Sequence, residues 1–412
     1  MKPAGSLLAA LGQAIVPLVA AAGGVLLLGG CTSCQSTVRT AAMPVIAAGS
    51  FDAVEADQTT HRLYLADQTA KGVDVVDISA TTPRFVSTIA MSAAPSGLAI
   101  APESHRLFAS LGSDGGVAVV DTEPRSSNSM QVISTFKVDA GVADLIDYSE
   151  QTKNLYVGTE SGVIVVDTTT ERVVKRLTTS APVEQPRYDP ADGMVYVTVP
   201  STDSLVQISP ATGLVTRTFV VSKCRPSGLA INPSRQVALL ACGGSLALVN
   251  LESGAQQVTR VVQGGDLVTY DSTADRFVVA SPHDTQDSAV GVFAGDGSFI
   301  GSVPATPVAH GAAFDSAHGL VYAPGTTGLM SFAPAACAPP PDWLRFLGGL
   351  SIFAVPFLVL ASIPVLYVRR RARQRARPAG KTFHDLQEED LEHERERMRA
   401  LEDAIYGPQV AD

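Results

Sequence analysis

Asp52, Ser96, Asp144, Glu184, Ser227, Asp266 and His310 each stand twelve residues ahead of an aromatic or aliphatic residue: Tyr64, Phe108, Tyr156, Tyr196, Leu239, Val278 and Tyr322 in turn. Brought together, four carboxylates, two hydroxyls and an imidazole with no accompanying cation would form a ring of oxygen ligands. Such a ring suits Ca²⁺ or another hard cation, or a cationic ligand. His310 with Asp266 or Asp52 would make an acid and base pair if they met across the ring. The plainer reading is local, because Asp and Ser often enter strands at turns, where they bond neighbouring backbone. No other catalytic constellation is present. The sequence shows no nucleophile elbow, no histidine pair at i and i+4, and no zinc-spaced cysteine pair beyond Cys31 and Cys34, so no catalytic residue or metal ligand is assigned. His61, His105 and His318 read as solvated residues of turns before a second strand, and His283 as part of the polar loop 282–288.

The seven positions recur because the chain does. The anchors Tyr64 to Tyr322 are spaced by 39 to 48 residues. A second run keeps step with them, as Val75-Val76-Asp77, Val119-Val120-Asp121 and Val165-Val166-Asp167, then Gln207-Ile208-Ser209 and Leu248-Val249-Asn250. A unit of this length holds four short strands with turns, and no window carries apolar residues at helical spacing. The third unit reads as strands at 145–148, 154–159, 163–167 and 173–177. The pattern predicts an all-β, seven-bladed β-propeller over 36–337, whose blades bury their faces only by stacking around an axis. The seventh unit, His310 to Ala333, has only three strands, so 36–47 is expected to supply its outer strand and close the ring. The mouth of the central channel, where the innermost strands begin, would then hold the seven polar positions.

Leu155-Tyr156-Val157 followed by Val165-Val166-Asp167-Thr168-Thr169-Thr170, and Val195-Tyr196-Val197-Thr198-Val199, resemble the YVTN-repeat propellers and the related YncE-like proteins. Val199 or Gly158 stands where that family's Asn would be. The resemblance covers roughly residues 36 to 337 and implies the propeller fold. It implies no single activity, since that family resembles surface-layer propellers, lactonases and quinoprotein subunits alike.

Segments outside the repeats point to a membrane. Residues 1–30 carry Lys2 and an uncharged apolar stretch from Leu7 to Gly30, the pattern of an export signal. Leu28-Gly29-Gly30-Cys31 resembles a lipobox, which would place acyl chains on Cys31; an uncleaved anchor or cleavage elsewhere are the alternatives. After a Pro-rich spacer at 338–345, Phe346 to Val368 has no charge and is long enough to span a bilayer as a helix. Arg369, Arg370, Arg371, Arg373, Arg375 and Arg377 follow, so the positive-inside rule places 369–412 in the cytoplasm and the propeller outside. Within the tail, 383–406 alternates acids and arginines as a short helix, either solvated or partner-binding. The stretch Gln35 to Pro341 holds 18 Lys and Arg against 29 Asp and Glu, which argues against nucleic acid or an anionic membrane surface as its partner.

Five cysteines in an exported chain leave one unpaired, and lipidation would use Cys31. Cys224 and Cys242 flank a turn at Asn232-Pro233-Ser234-Arg235, and a hairpin centred between 233 and 234 would put residue 224 opposite 243, within one position of Cys242. Similar cysteines occur at this place in some YncE-like propellers, as the resemblance implies. Cys34 and Cys337, at the start of the closing strand and the end of its neighbour, are expected to meet too; free buried thiols are the alternative for both pairs. Two functional readings result. One is a membrane-anchored extracytoplasmic propeller that binds a protein, glycan or envelope component without a cofactor, with Ca²⁺ at the channel mouth as an option. The other is a lactonase-like or other hydrolase using that mouth.

Overall fold

Each repeat folds as its alternation of apolar and polar residues requires, into a four-stranded antiparallel sheet, and there are seven such sheets. The computed structural model describes residues 36–138, 141–282 and 288–334, together with Glu392, Arg395 and Arg397. All the strands belong to one compact unit, Thr32–Cys337. The third blade consists of Ile146–Ser149, Asn154–Thr159, Gly162–Asp167 and Arg172–Thr178, each within about one residue of its expected bounds. The seventh blade is made of Ala313–Asp315, Leu320–Gly325 and Gly328–Phe332, with Arg39–Ala42 as its outer strand.

Arg39 pairs with Ser331 and Ala42 with Gly328, antiparallel, so the chain before Arg39 and after Phe332 leaves from the same end of the pair. The closing strand is shorter than the expected 36–47. Pro44 has no N–H to give to a ladder and sits at the start of a short helix, Pro44–Ala48, whose Ile46 is fully buried.

The anchor residues explain why the period is kept. Tyr64, Phe108, Tyr156, Tyr196, Leu239, Val278 and Tyr322 lie on the second strands and are at most 2% exposed. Each packs on the following blade: Tyr64 with Leu98 and Leu107, Tyr196 with Leu229 and Leu240, and Tyr322 with Val54 and Leu63, across the closure. The aspartates that end the second run hold turns. Asp77 Oδ1 accepts from Ser79 N at 3.0 Å and Asp167 Oδ1 from Thr169 N at 2.9 Å.

Near the axis the innermost strands approach one another closely. A Cβ on Gly228 would lie 2.2 Å from the Asp266 carbonyl oxygen and 2.9 Å from Val268 N, both backbone atoms of the next blade. Gly97 and Gly311 occupy the same repeat position and meet blades three and one in the same way. Gly228→Ala is therefore expected to force the two strands apart and cost about 2 kcal/mol. Chemical denaturation checks this, and an unchanged midpoint would refute the close approach.

The apolar run 346–368, the expected export signal at 1–30, Cys31, Cys34 and Cys337 lie outside the described residues. Among the described residues no helix is long and apolar enough to cross a membrane.

Candidate functional site at the channel mouth

The residues that precede the innermost strands are held by a repeated rung. The backbone N–H of Ser96, Asp144, Glu184, Ser227 and Asp266 donates to the carbonyl fourteen residues later, on the second strand, at 2.8 to 3.1 Å. The common rung gives these residues a common height on the axis. Six of the seven expected residues, Asp52, Asp144, Glu184, Ser227, Asp266 and His310, line one cavity of about 260 Å³. Ser96 is not among its lining residues. It is only 9% exposed, and its carbonyl accepts from Ala53 N at 3.2 Å, so this blade contributes backbone to the ring and no hydroxyl to the mouth.

Within the mouth the polar groups fall into pairs. His310 Nδ1 is hydrogen-bonded to Asp266 Oδ2 at 2.6 Å, joining blades seven and six. Glu184 and Asp144 share a hydrogen bond between their carboxyl groups. Gln68 Nε2 donates to Asp52 Oδ2 at 3.2 Å, and the Ser227 hydroxyl donates to the Asp266 carbonyl at 3.1 Å. Burial, reinforced by the charges of Asp266 and Asp144, raises Asp52 to about 7. Burial and the same two carboxylates raise Glu184 to about 7, and Asp144 is also raised, chiefly by burial. Near neutrality the mouth therefore holds exchangeable protons as well as negative charge. Among the described residues no group of three or more His, Cys, Asp or Glu side chains is gathered closely enough to hold a metal ion.

Below the mouth the channel narrows to about 10 Å³, between Ala53, Leu145, Gln185 and Leu267. Gln185 is fixed there because its Oε1 accepts from Leu229 N at 2.6 Å. The other histidines are less solvated than their turns suggest. His318 Nδ1 is bonded to Asp315 Oδ2 at 2.7 Å and His105 Nε2 contacts Glu123 at 3.0 Å, while Nδ1 of His61 and of His105 is buried without a partner among the described residues. His283 lies outside the described residues. Sequence reasoning missed Gln68, which follows the second strand of blade one, and Glu55, Asp147 and Arg187, which line the other end of the channel. The alternation of side chains along the innermost strands, carried two residues beyond the narrows, points to the last three.

The expected pairing of Cys224 with Cys242 holds by a different route. Cys224 and Cys242 form a disulfide with Cα atoms 4.6 Å apart. Asn232 pairs with Val237 and Leu229 with Leu240, so the hairpin is centred between Ser234 and Arg235, one residue later than expected. Cys224 lies ahead of the strand Leu229–Asn232, and its loop turns back so that its carbonyl accepts from Gly243 N at 2.9 Å.

The fold and the mouth together define a seven-bladed propeller with an acid-lined axial cavity. Among solved structures the chain is similar to the hydrazine synthase of Kuenenia stuttgartiensis, at 17% identity and a TM-score of 0.59, over 70% of this chain and 96% of that one. At this identity the likeness shows the fold alone. No protein-family model and no curated protein matches the chain.

Proposed function

We propose that this chain is a membrane-anchored extracytoplasmic propeller that binds a partner through a cationic group seated in the channel mouth. The observation that carries the reading is the cavity of about 260 Å³ that gathers Asp52, Asp144, Glu184 and Asp266 without a Lys or Arg in its lining. A cation entering it replaces protons on Asp52 and Glu184 and relieves the repulsion among the carboxylates. The run 346–368, followed by six arginines, supplies the anchor in this reading, and the common exit of both chain ends lets a lipid on Cys31 tether the same face.

Calorimetry with spermidine, and separately with CaCl₂, tests the mouth. Spermidine is expected to bind, and Asp52→Asn with Glu184→Gln to weaken it about tenfold or more, by removing two charge partners. Heat with CaCl₂ alone would make the site a metal site. No heat with either would overturn the cationic reading. A hydrolase is the second reading, favoured by one observation, the 2.6 Å bond between His310 and Asp266, which orients an imidazole as a general base. Lactone or ester hydrolysis that is lost on replacing Asp144, Glu184 and His310 by Ala would select it.

A further inference from the structure

Three residues beyond Asp52, Asp144 and Glu184, the same strands present Glu55, Asp147 and Arg187 at the far end of the channel. These side chains line a second cavity, of about 240 Å³, whose walls include Tyr148, Tyr188 and Tyr270. The narrows between the two cavities leave about 10 Å³, room for no more than about one water, so the two are chemically separate. Unlike the mouth, the second cavity contains both signs of charge.

Arg187 is held from one side. Its Nη1 donates to the carbonyls of Ile146 at 3.3 Å and Pro186 at 3.2 Å, and stands 3.6 Å from Asp147 Oδ1. Asp147 is itself positioned by Tyr188 N, which donates to its Oδ2 at 2.8 Å. Nη2 and Nε of Arg187 have no partner among the described residues, although the side chain is only 14% exposed. Glu55, from blade one, faces the same cavity and makes no hydrogen bond among the described residues. Burial raises its carboxyl to about 7 even though the Arg187 charge opposes this. An unused guanidinium edge and an unused carboxyl thus face one open cavity from different blades.

We infer that this second cavity binds a small zwitterion of the amino-acid class, with its carboxylate on the free edge of Arg187 and its ammonium on Glu55. The space exceeds the roughly 150 Å³ that accommodates benzene, so it admits a molecule of that size with polar ends. A guanidinium edge matches a carboxylate in plane and in donor spacing. A purely anionic ligand would face two acids, and a purely cationic one would face Arg187. The tyrosine rings supply flat walls for an apolar or aromatic side chain.

Calorimetry on the full-length protein in detergent, with each of the twenty standard amino acids, tests the site. At least one is expected to bind, and at least tenfold more tightly than its decarboxylated amine or its deaminated acid. Arg187→Gln and Glu55→Gln are each expected to weaken it tenfold or more. Because Arg187 also ties down the Ile146 carbonyl, its variant needs a melting curve alongside. Glu55→Gln copies the neutral carboxyl in shape and keeps the test valid if the arginine variant fails to fold. No heat from any amino acid, equal binding of the amine or of the acid, or unchanged affinity in Glu55→Gln would each overturn the inference.

Discussion

Raising the pH from about 5 to 8 is expected to lower the stability of the propeller by several kcal/mol, the reverse of ordinary acid denaturation. Asp52, Glu55 and Glu184 each stand at about 7 in the folded protein, against ordinary values of 3.8, 4.5 and 4.5. Burial is the first cause in all three. Between the unfolded and folded values the native chain holds protons that the unfolded chain has released, so stability falls as pH rises. The contribution is complete below about pH 4 and gone above about pH 8. Each pKa unit corresponds to about 1.4 kcal/mol; with allowance for partial solvent screening, about 1–2 kcal/mol per carboxyl remains. The opposing groups act elsewhere on the scale. Asp77, held at about 2 chiefly by the Ser79 hydroxyl, loses its contribution only in strong acid. Urea unfolding at pH 5, 6, 7 and 8 measures the slope. Asp52→Asn, Glu55→Gln and Glu184→Gln combined should flatten it and leave the variant more stable than the parent at pH 8. A stability that rises from pH 5 to 8 would refute the buried-carboxyl account.

Loss of the Cys224–Cys242 bridge has the next largest expected effect. The cysteines are separated by 18 positions, and closing a loop of that size in the unfolded chain corresponds to about 3 kcal/mol in the chain-entropy model. Both sulfur-bearing residues are at most 2% exposed and pack with Tyr196, Leu229 and Leu240, so the folded state has little to gain from their release. Cys224→Ala with Cys242→Ala should therefore lower the unfolding free energy by about 3 kcal/mol, read from denaturant midpoints without reductant. The parent protein in dithiothreitol should move toward the same midpoint. If reduction and the double variant both leave it unchanged, the bridge contributes nothing to stability. A bridge of this kind belongs to an oxidising compartment, which supports the extracytoplasmic placement proposed above.

Much of the architecture is a consequence of local pattern. Seven anchors at a near-constant period, five of them followed in step by a second run, determine seven sheets, because the residues that make a strand and its turn are neighbours in the chain. The three-stranded seventh unit and the spare N-terminal segment likewise determine how the ring closes, and Arg39–Ala42 takes that place. Position in the repeat also placed six residues around one mouth; Asp144, Glu184, Ser227 and Asp266 share the rung ahead of their innermost strands, while Asp52 already lies within the strand Phe51–Asp57.

What the pattern could not contain is distance across the axis. Glu55 and Arg187 line one cavity, and His310 bonds Asp266, because the ring has a particular radius, set by how closely glycines such as Gly228 let adjacent innermost strands approach. The shared proton of Glu184 and Asp144, the recess of Ser96 behind its own backbone contact, and the turn that carries Cys224 back to Gly243 arise in the same way. Strand periodicity is a property of about ten consecutive residues. Contact between side chains on different blades depends on packing summed around the whole ring, so the sequence determined the blades and their mouth positions, and the tertiary structure decided which charges face each other.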